Sequence, residues 1–196
     1  MKLSAFKKIE SIKRLQEYNL PIPETIFVFD FKKQEEEIDR FLVNKRIVTI
    51  RSDKEGKTDF CPHKLRCLRS EAKKLIKALV SKGFGVIVQR YIPIRRDRAS
   101  GNILILKKKI LLELMGTGPL TWLNRDGLVE ERIEVRKNDG REIGHFGKRL
   151  ITKKALKKIL KLVKNTPPYK ILEFTLRPEG LYFWQIRDDE TTKGLE

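Results

Sequence analysis

Two runs near the C-terminus hold the residue types that phosphate chemistry uses. Ile171-Leu172-Glu173-Phe174-Thr175-Leu176 and Leu181-Tyr182-Phe183-Trp184-Gln185-Ile186-Arg187 flank a turn at Arg177-Pro178-Glu179-Gly180, so they read as an antiparallel hairpin. Side chains alternate between the faces of a strand. Glu173 and Thr175 are therefore expected on one face, and Leu181, Phe183, Gln185 and Arg187 together on one face of the return strand. A carboxylate, an amide and a guanidinium then meet on one surface. The carboxylate can hold Mg²⁺ and the arginine can hold phosphate, the two charge types that phosphoryl transfer requires. The same pattern also describes a solvated sheet face with a Glu-Arg cross-strand pair.

Three other groups could do chemistry. Arg51 ends a β-branched run, Val48-Thr49-Ile50-Arg51-Ser52, which places it at a sheet edge where ligands commonly bind. Cys61-Pro62-His63 and Cys67 offer three metal ligands, with His145 or Asp59 as a fourth. The paired Cys-x-x-Cys spacing of zinc sites is absent, and a Cys61 to Cys67 disulfide or ordinary thiols are the other readings. Lys153, Lys154, Lys157, Lys158, Lys161 and Lys164 fall in one helical stretch without an acidic residue, so lysines four apart repel. Arg95, Arg96, Arg98 and Lys107 to Lys109 add to this basic character. Nucleic acid or another polyanion would relieve the repulsion; a solvated helix face is the plainer reading. Trp122, Trp184 and the tyrosines are not interleaved with basic residues, so base-specific readout has no support.

These residues need a framework. Helices are expected over Ala5 to Tyr18, after Asp30 as cap, over Ser70 to Lys82 with Ser70 as cap and Gly83 as the residue that ends it, and over Lys153 to Lys164. Strands are expected at Thr25 to Phe29, Arg46 to Ser52, Val86 to Ile92, Asn102 to Leu106, Ile110 to Met115, Leu128 to Val135 and the two arms of the hairpin. Helices alternate with strands early and strands dominate late. The class is therefore α+β with two lobes, 1–92 and 93–196, and hinge candidates at Gly83-Phe84-Gly85 and Pro93 to Gly101.

The chain has 196 residues, 40% apolar and 36% charged, against roughly 25% charged in an ordinary soluble domain. That suits one domain, or two small lobes, beneath a highly charged surface. The net charge is +18. It fits a polyanion partner, a site for nucleotide phosphates, or a thermophile's composition, although the last adds both signs and explains the charged fraction better than the imbalance. Met1 to Leu20 lacks an apolar signal region and no run approaches 18 apolar residues, so a cytoplasmic protein without a membrane span is expected.

Ile171 to Leu176 followed by Gly180 to Arg187 resembles the end of the nucleotide-binding domain of phosphoenolpyruvate synthase and pyruvate phosphate dikinase, an ATP-grasp family. Val48 to Ser52 is similar to that family's strand ending in Arg-Ser-Ser, and Val86-Ile87-Val88-Gln89 to its strand before the adenine hinge. Ser100-Gly101 resembles the opening of its second lobe, and Leu20-Pro21-Ile22-Pro23 the segment after its first helix. The resemblance implies a two-lobed ATP-grasp-like fold with mostly antiparallel sheets, binding ATP with Mg²⁺. It implies that Lys8 and Arg51 bind phosphate, Gln89 sits by the adenine, Glu173 binds the metal, and Gln185 and Arg187 line the phosphate side.

Three positions depart from the family. Ile171 stands where it has an acidic residue. Met115-Gly116-Thr117-Gly118 replaces a Gly-Glu pair, with Glu113 near enough to substitute as a metal ligand. Asp53 to Leu68 replaces a glycine-rich loop. His63 and His145 are the only histidines and neither lies in a phosphocarrier context, so a phosphoryl acceptor is expected to be a separate molecule. The function implied is ATP binding with transfer of a phosphoryl or activated group, by a phosphotransferase or ligase. The alternatives are a non-catalytic nucleic-acid-binding protein on a degenerate ATP-grasp scaffold and a scaffold that binds another protein.

Overall fold

The computed structural model describes residues 6–56, 61–116, 123 and 127–192. Asp59 and Trp122 lie outside them. The chain divides into two compact units. The first takes residues up to Lys13 and Pro23–Ile92, the second Arg14–Ile22 and everything from Pro93 on.

In the first unit, strands β1 (Thr25–Val28), β2 (Ile47–Asp53), β3 (His63–Leu68) and β4 (Gly85–Arg90) form an antiparallel sheet in the order β1-β4-β2-β3. Helix α1 (Lys7–Glu17) begins here. Helices α2 (Glu35–Leu42) and α3 (Arg69–Ser81) cover one face, because each carries a single apolar stripe: Ile38, Phe41 and Leu42 on one, Ala72, Ile76 and Leu79 on the other. They pack on Val28, Val48, Ile50, Val86 and Val88. Gly83 ends α3 as expected. It adopts φ +78° and Phe84 N–H bonds back to Leu79 O, a conformation that favours glycine.

Two expected caps are replaced. Asp30 does not start α2, which begins at Glu35. Gln34 instead accepts the N–H groups of Phe29 and Asp30 and donates to Phe27 O, so the residues between strand and helix are tied down as turns. Ser70 already lies inside α3, since β3 runs directly into the helix with Leu68 in the capping position.

The second unit holds β5 (Ala99–Ile105), β6 (Lys109–Met115), β7 (Glu131–Arg136), β8 (Glu142–Gly147), helix α4 (Lys153–Val163), β9 (Lys170–Arg177) and β10 (Gly180–Asp188). The six strands form one antiparallel sheet, β10-β9-β5-β6-β7-β8. Thr152 caps α4 by accepting Ala155 N–H, and Leu156, Ile159 and Val163 press on Ile103, Leu112, Ile133, Leu172 and Phe174. The 14–22 segment belongs here because Leu15 and Leu20 enter the same core and Phe183 N–H donates to Pro21 O.

The class is α+β with antiparallel sheets, as expected. β3 and β8 are additional strands. Both are edge strands with mostly exposed side chains, so neither carries the apolar alternation that marks a strand in sequence. No helix among the described residues is long and apolar enough to cross a membrane.

Candidate functional site

In the second unit, five strands place one polar residue each on a single line. Gln185 of β10 pairs with Glu173 of β9, Glu173 with Asn102 of β5, Asn102 with Glu113 of β6, and Glu113 with Arg132 of β7. These positions alternate with the core residues Leu172, Ile103 and Leu112, so the row occupies the sheet face opposite α4. Arg132 Nη2 donates to Glu113 Oε1 at 2.6 Å. Arg187 pairs with Ile171 on the same face, one step along, and is exposed.

The expected alternation along β10 is corrected at Trp184. A β-bulge leaves this residue without a direct partner between Phe183 and Gln185. Leu181 and Phe183 therefore share the core face with Ile186, while Gln185 and Arg187 turn to the opposite face beside Glu173. Trp184 Nε1 donates to Thr175 Oγ1, which lies 3.0 Å from Ser100 Oγ, so a short buried hydroxyl chain fixes the face next to the row. Beyond it stands Arg177, with Nε 3.3 Å from Asp97 and Nη2 3.3 Å from Glu179. Asn102, Arg132 and Arg177 had no expected role. The alternation that placed Glu173 would also have placed Arg177 on its face, but only pairing across strands brings in Asn102 and Arg132.

In the first unit, Arg51 and Gln89 both lie on the face turned away from α2 and α3. Arg51 pairs with Ile87 and His63, and Gln89 with Thr49 and Thr25. Gln89 is 2% exposed. Its Nε2 donates to Thr25 Oγ1 at 3.0 Å, while its Oε1 is buried without a hydrogen-bond partner among the described residues. An unpaired buried acceptor is costly, so a donor that reached it would be favoured.

Asp53, two residues beyond Arg51 on the same strand, is a further residue the sequence reading did not single out. Its Oδ2 accepts the N–H groups of Lys8 (2.7 Å) and Ile9 (3.1 Å), so a buried carboxylate caps the first turn of α1. Lys8 is thus fixed by its backbone beside the strand that carries Arg51, with its side chain half-buried. Gly85 admits this packing, since a Cβ there would come within 2.7 Å of Ile9 and 2.9 Å of Phe29.

Cys61 and Cys67 are buried and not joined in a disulfide. Cys67 packs in the core of the first unit, where burial pushes its thiol above the ordinary range. His63 is exposed opposite Arg51. His145 lies 3.0 Å from Glu131, a fully buried carboxylate that also accepts Leu150 and Ile151 N–H and so anchors the approach to α4. Of these candidate ligands, Cys67 is a core residue and His145 is held by Glu131. No group of three or more ligating side chains exists among the described residues.

No protein-family profile matches this sequence, and no curated protein does. Solved structures do. D-alanyl-alanine synthetase A from Vibrio cholerae O1 biovar eltor superposes with a TM-score of 0.55 at 12% identity, over 94% of this chain and 55% of its own. A RimK domain ATP-grasp protein from Sphaerobacter thermophilus gives 0.53 at 13%, over 97% and 62%. The ATP-grasp ligase PsnB, solved with minimal precursor, Mg and ADP, gives 0.53 at 11%, over 98% and 53%. The chain spans a little over half the length of these proteins. At such identities the likeness shows the fold, and the fold of this chain is ATP-grasp.

Proposed function

We propose that the chain binds ATP with Mg²⁺ and serves ligase-type chemistry, in which a phosphoryl group of ATP activates an acceptor. The observation that carries this is the row Gln185, Glu173, Asn102, Glu113 on the face opposite α4 of a six-stranded sheet in an ATP-grasp fold. Mg²⁺ is commonly held by one or two carboxylates together with substrate phosphates and waters, so Glu173 and Glu113 are a sufficient protein contribution. Bound there, the cation would neutralise phosphate charge. Arg187 is set to meet a phosphate from the same face. In the first unit, the resemblance assigns phosphate to Arg51, with Lys8 beside its strand, and the orphaned Gln89 Oε1 suits an adenine amino group. The ADP and Mg in PsnB support this reading.

The finer assignment is a nucleotide-binding part like that of phosphoenolpyruvate synthase and pyruvate phosphate dikinase, which rests on Arg51-Ser52 and the final hairpin. Ile171 argues for binding by fewer metal ligands than that family uses. The test is calorimetry with Mg-ATP. Wild type is expected to bind, and Arg51→Ala to lose about 10- to 100-fold, the worth of one charge-assisted hydrogen bond. Glu173→Gln should abolish the dependence of binding on Mg²⁺. Absence of binding by wild type would sink the proposal.

A further inference from the structure

At one end of the second unit two turns form a basic cradle that the nucleotide reading does not use. The β5-β6 turn brings Lys107, Lys108 and Lys109, and the end of β7 brings Arg136 and Lys137. Together they line a cavity of about 520 Å³. Backbone bonds make it rigid: Lys137 N–H donates to Lys108 O at 2.8 Å and Leu106 N–H to Lys109 O at 2.9 Å. Lys109 is paired with Glu134 and Arg136 with Asp139. Lys108 and Lys137 have no ion pair among the described residues.

Helix α4 passes beside the turn that follows the cradle. Leu160 lies against Gly140 in the neighbouring β7-β8 turn. All six of the helix-region lysines are exposed, and Lys153, Lys157 and Lys161 follow one another at about 6 Å per four-residue step. Fixed cations that outnumber the acids beside them raise the local concentration of a polyanion.

We propose that the cradle and the lysine ridge of α4 bind the phosphodiester backbone of a nucleic acid, without reading its sequence. The composition selects this partner over an acidic protein. Protein interfaces are depleted of lysine and enriched in aromatic anchors, whereas phosphate-binding surfaces are built from Lys and Arg. Among the described residues, Ile143 is the one apolar residue lining the cavity and no aromatic lines it, so the lining itself offers no platform for base stacking.

The experiment is fluorescence anisotropy of the full chain with labelled oligouridine RNA and with duplex DNA, from about 50 to about 200 mM salt. Wild type is expected to bind, with log affinity falling linearly in log salt. Lys107→Glu, Lys108→Glu and Lys137→Glu combined should lose at least tenfold in affinity and flatten the single-strand slope by about 2, since each phosphate contact contributes roughly 0.7. A control with Lys32→Glu, Lys74→Glu and Lys82→Glu changes the net charge equally at exposed sites of the first unit and should stay within about twofold of wild type. Circular dichroism checks that both variants fold.

The proposal is overturned if wild type binds neither nucleic acid at the lowest salt. It is equally overturned if both variants lose alike, which would mean net charge alone, or if polyglutamate displaces RNA at equal charge concentration. Mg-ATP calorimetry on the cradle variant should match wild type, so this result stands or falls apart from the nucleotide proposal.

Discussion

Arg177 is 3% exposed, and the carboxylates nearest its guanidinium belong to Asp97 and Glu179. Burial pushes the Asp97 carboxyl up to about 6. The Arg177 charge opposes that rise, and Glu179 adds to it. A carboxyl whose folded value is raised binds its proton more tightly in the folded chain than in the unfolded one. Its stabilisation is therefore complete below the ordinary carboxylate value near pH 4 and is lost as pH rises through 6. A shift of about 2 units corresponds to at most about 3 kcal/mol. Asp188 works in the opposite direction: hydrogen bonds from Lys170 and Arg14 hold it low, so its contribution is lost as pH falls. Comparing wild type with Asp97→Asn isolates the first effect. In urea titrations between pH 4 and 7, the stability advantage of wild type over the variant should shrink with rising pH. A pH-independent difference would show that the Asp97 carboxyl titrates as an ordinary one. Residue pattern alone does not flag this pair, because Asp97 lies in a stretch of arginines and Arg177 at a Pro-Glu-Gly turn, both of which read as surface.

At the scale of the elements, the hairpin shows what a strict period of two can and cannot see. Glu173 and its neighbours were legible because apolar residues alternate along β9. The face of Gln185 and Arg187 was not derivable from that alternation, since the bulge at Trp184 inverts it midway along β10. Edge strands β3 and β8 were illegible for another reason: Cys67 is the only buried residue in β3, and β8 has none. The helices were legible through their stripes, while the start of α2 was not, because turns held by both the Asp30 and Gln34 side chains intervene before it. Gly101 in β5 carries a testable consequence of close strand packing. A Cβ there would lie 2.2 Å from Glu113 O and 2.8 Å from Leu114 Cδ2. That carbonyl belongs to β6, so it cannot yield without parting β5 from β6 at the point where Asn102 meets Glu113. Gly101→Ala should cost about 3 kcal/mol in chemical denaturation. Mg-ATP affinity should fall with it, through a loosened row. A cost below about 0.5 kcal/mol would mean that the strands are freer to separate than their pairing indicates.

Across the whole molecule, the +18 charge has to be weighed as a cost to folding as well as a means of binding. The few basic residues assigned to phosphate in the nucleotide proposal, Lys8, Arg51 and Arg187, leave most of the excess elsewhere. Helix α4 is where the two demands meet. Its inner face needs Leu156, Ile159 and Val163, and its outer face repeats lysine at four-residue intervals with no acid in the helix itself, Glu142 acting on Lys153 from the neighbouring strand. Lys157→Glu would convert the repulsive pairs with Lys153 and Lys161 into attractive ones, a gain of about 1 kcal/mol over the two pairs. For a chain of this size that is a rise of about 2–4 °C in Tm at low salt. The rise should nearly vanish near 1 M salt, where screening acts over about 3 Å. The same substitution should weaken RNA binding, because it removes one cation of the ridge. A gain in Tm equal at both salt concentrations would refute charge repulsion as its source. A gain with undiminished RNA affinity would separate the helix from the binding surface. If stability rises while affinity falls, the lysines persist on this helix for the anion they meet and not for the fold they burden.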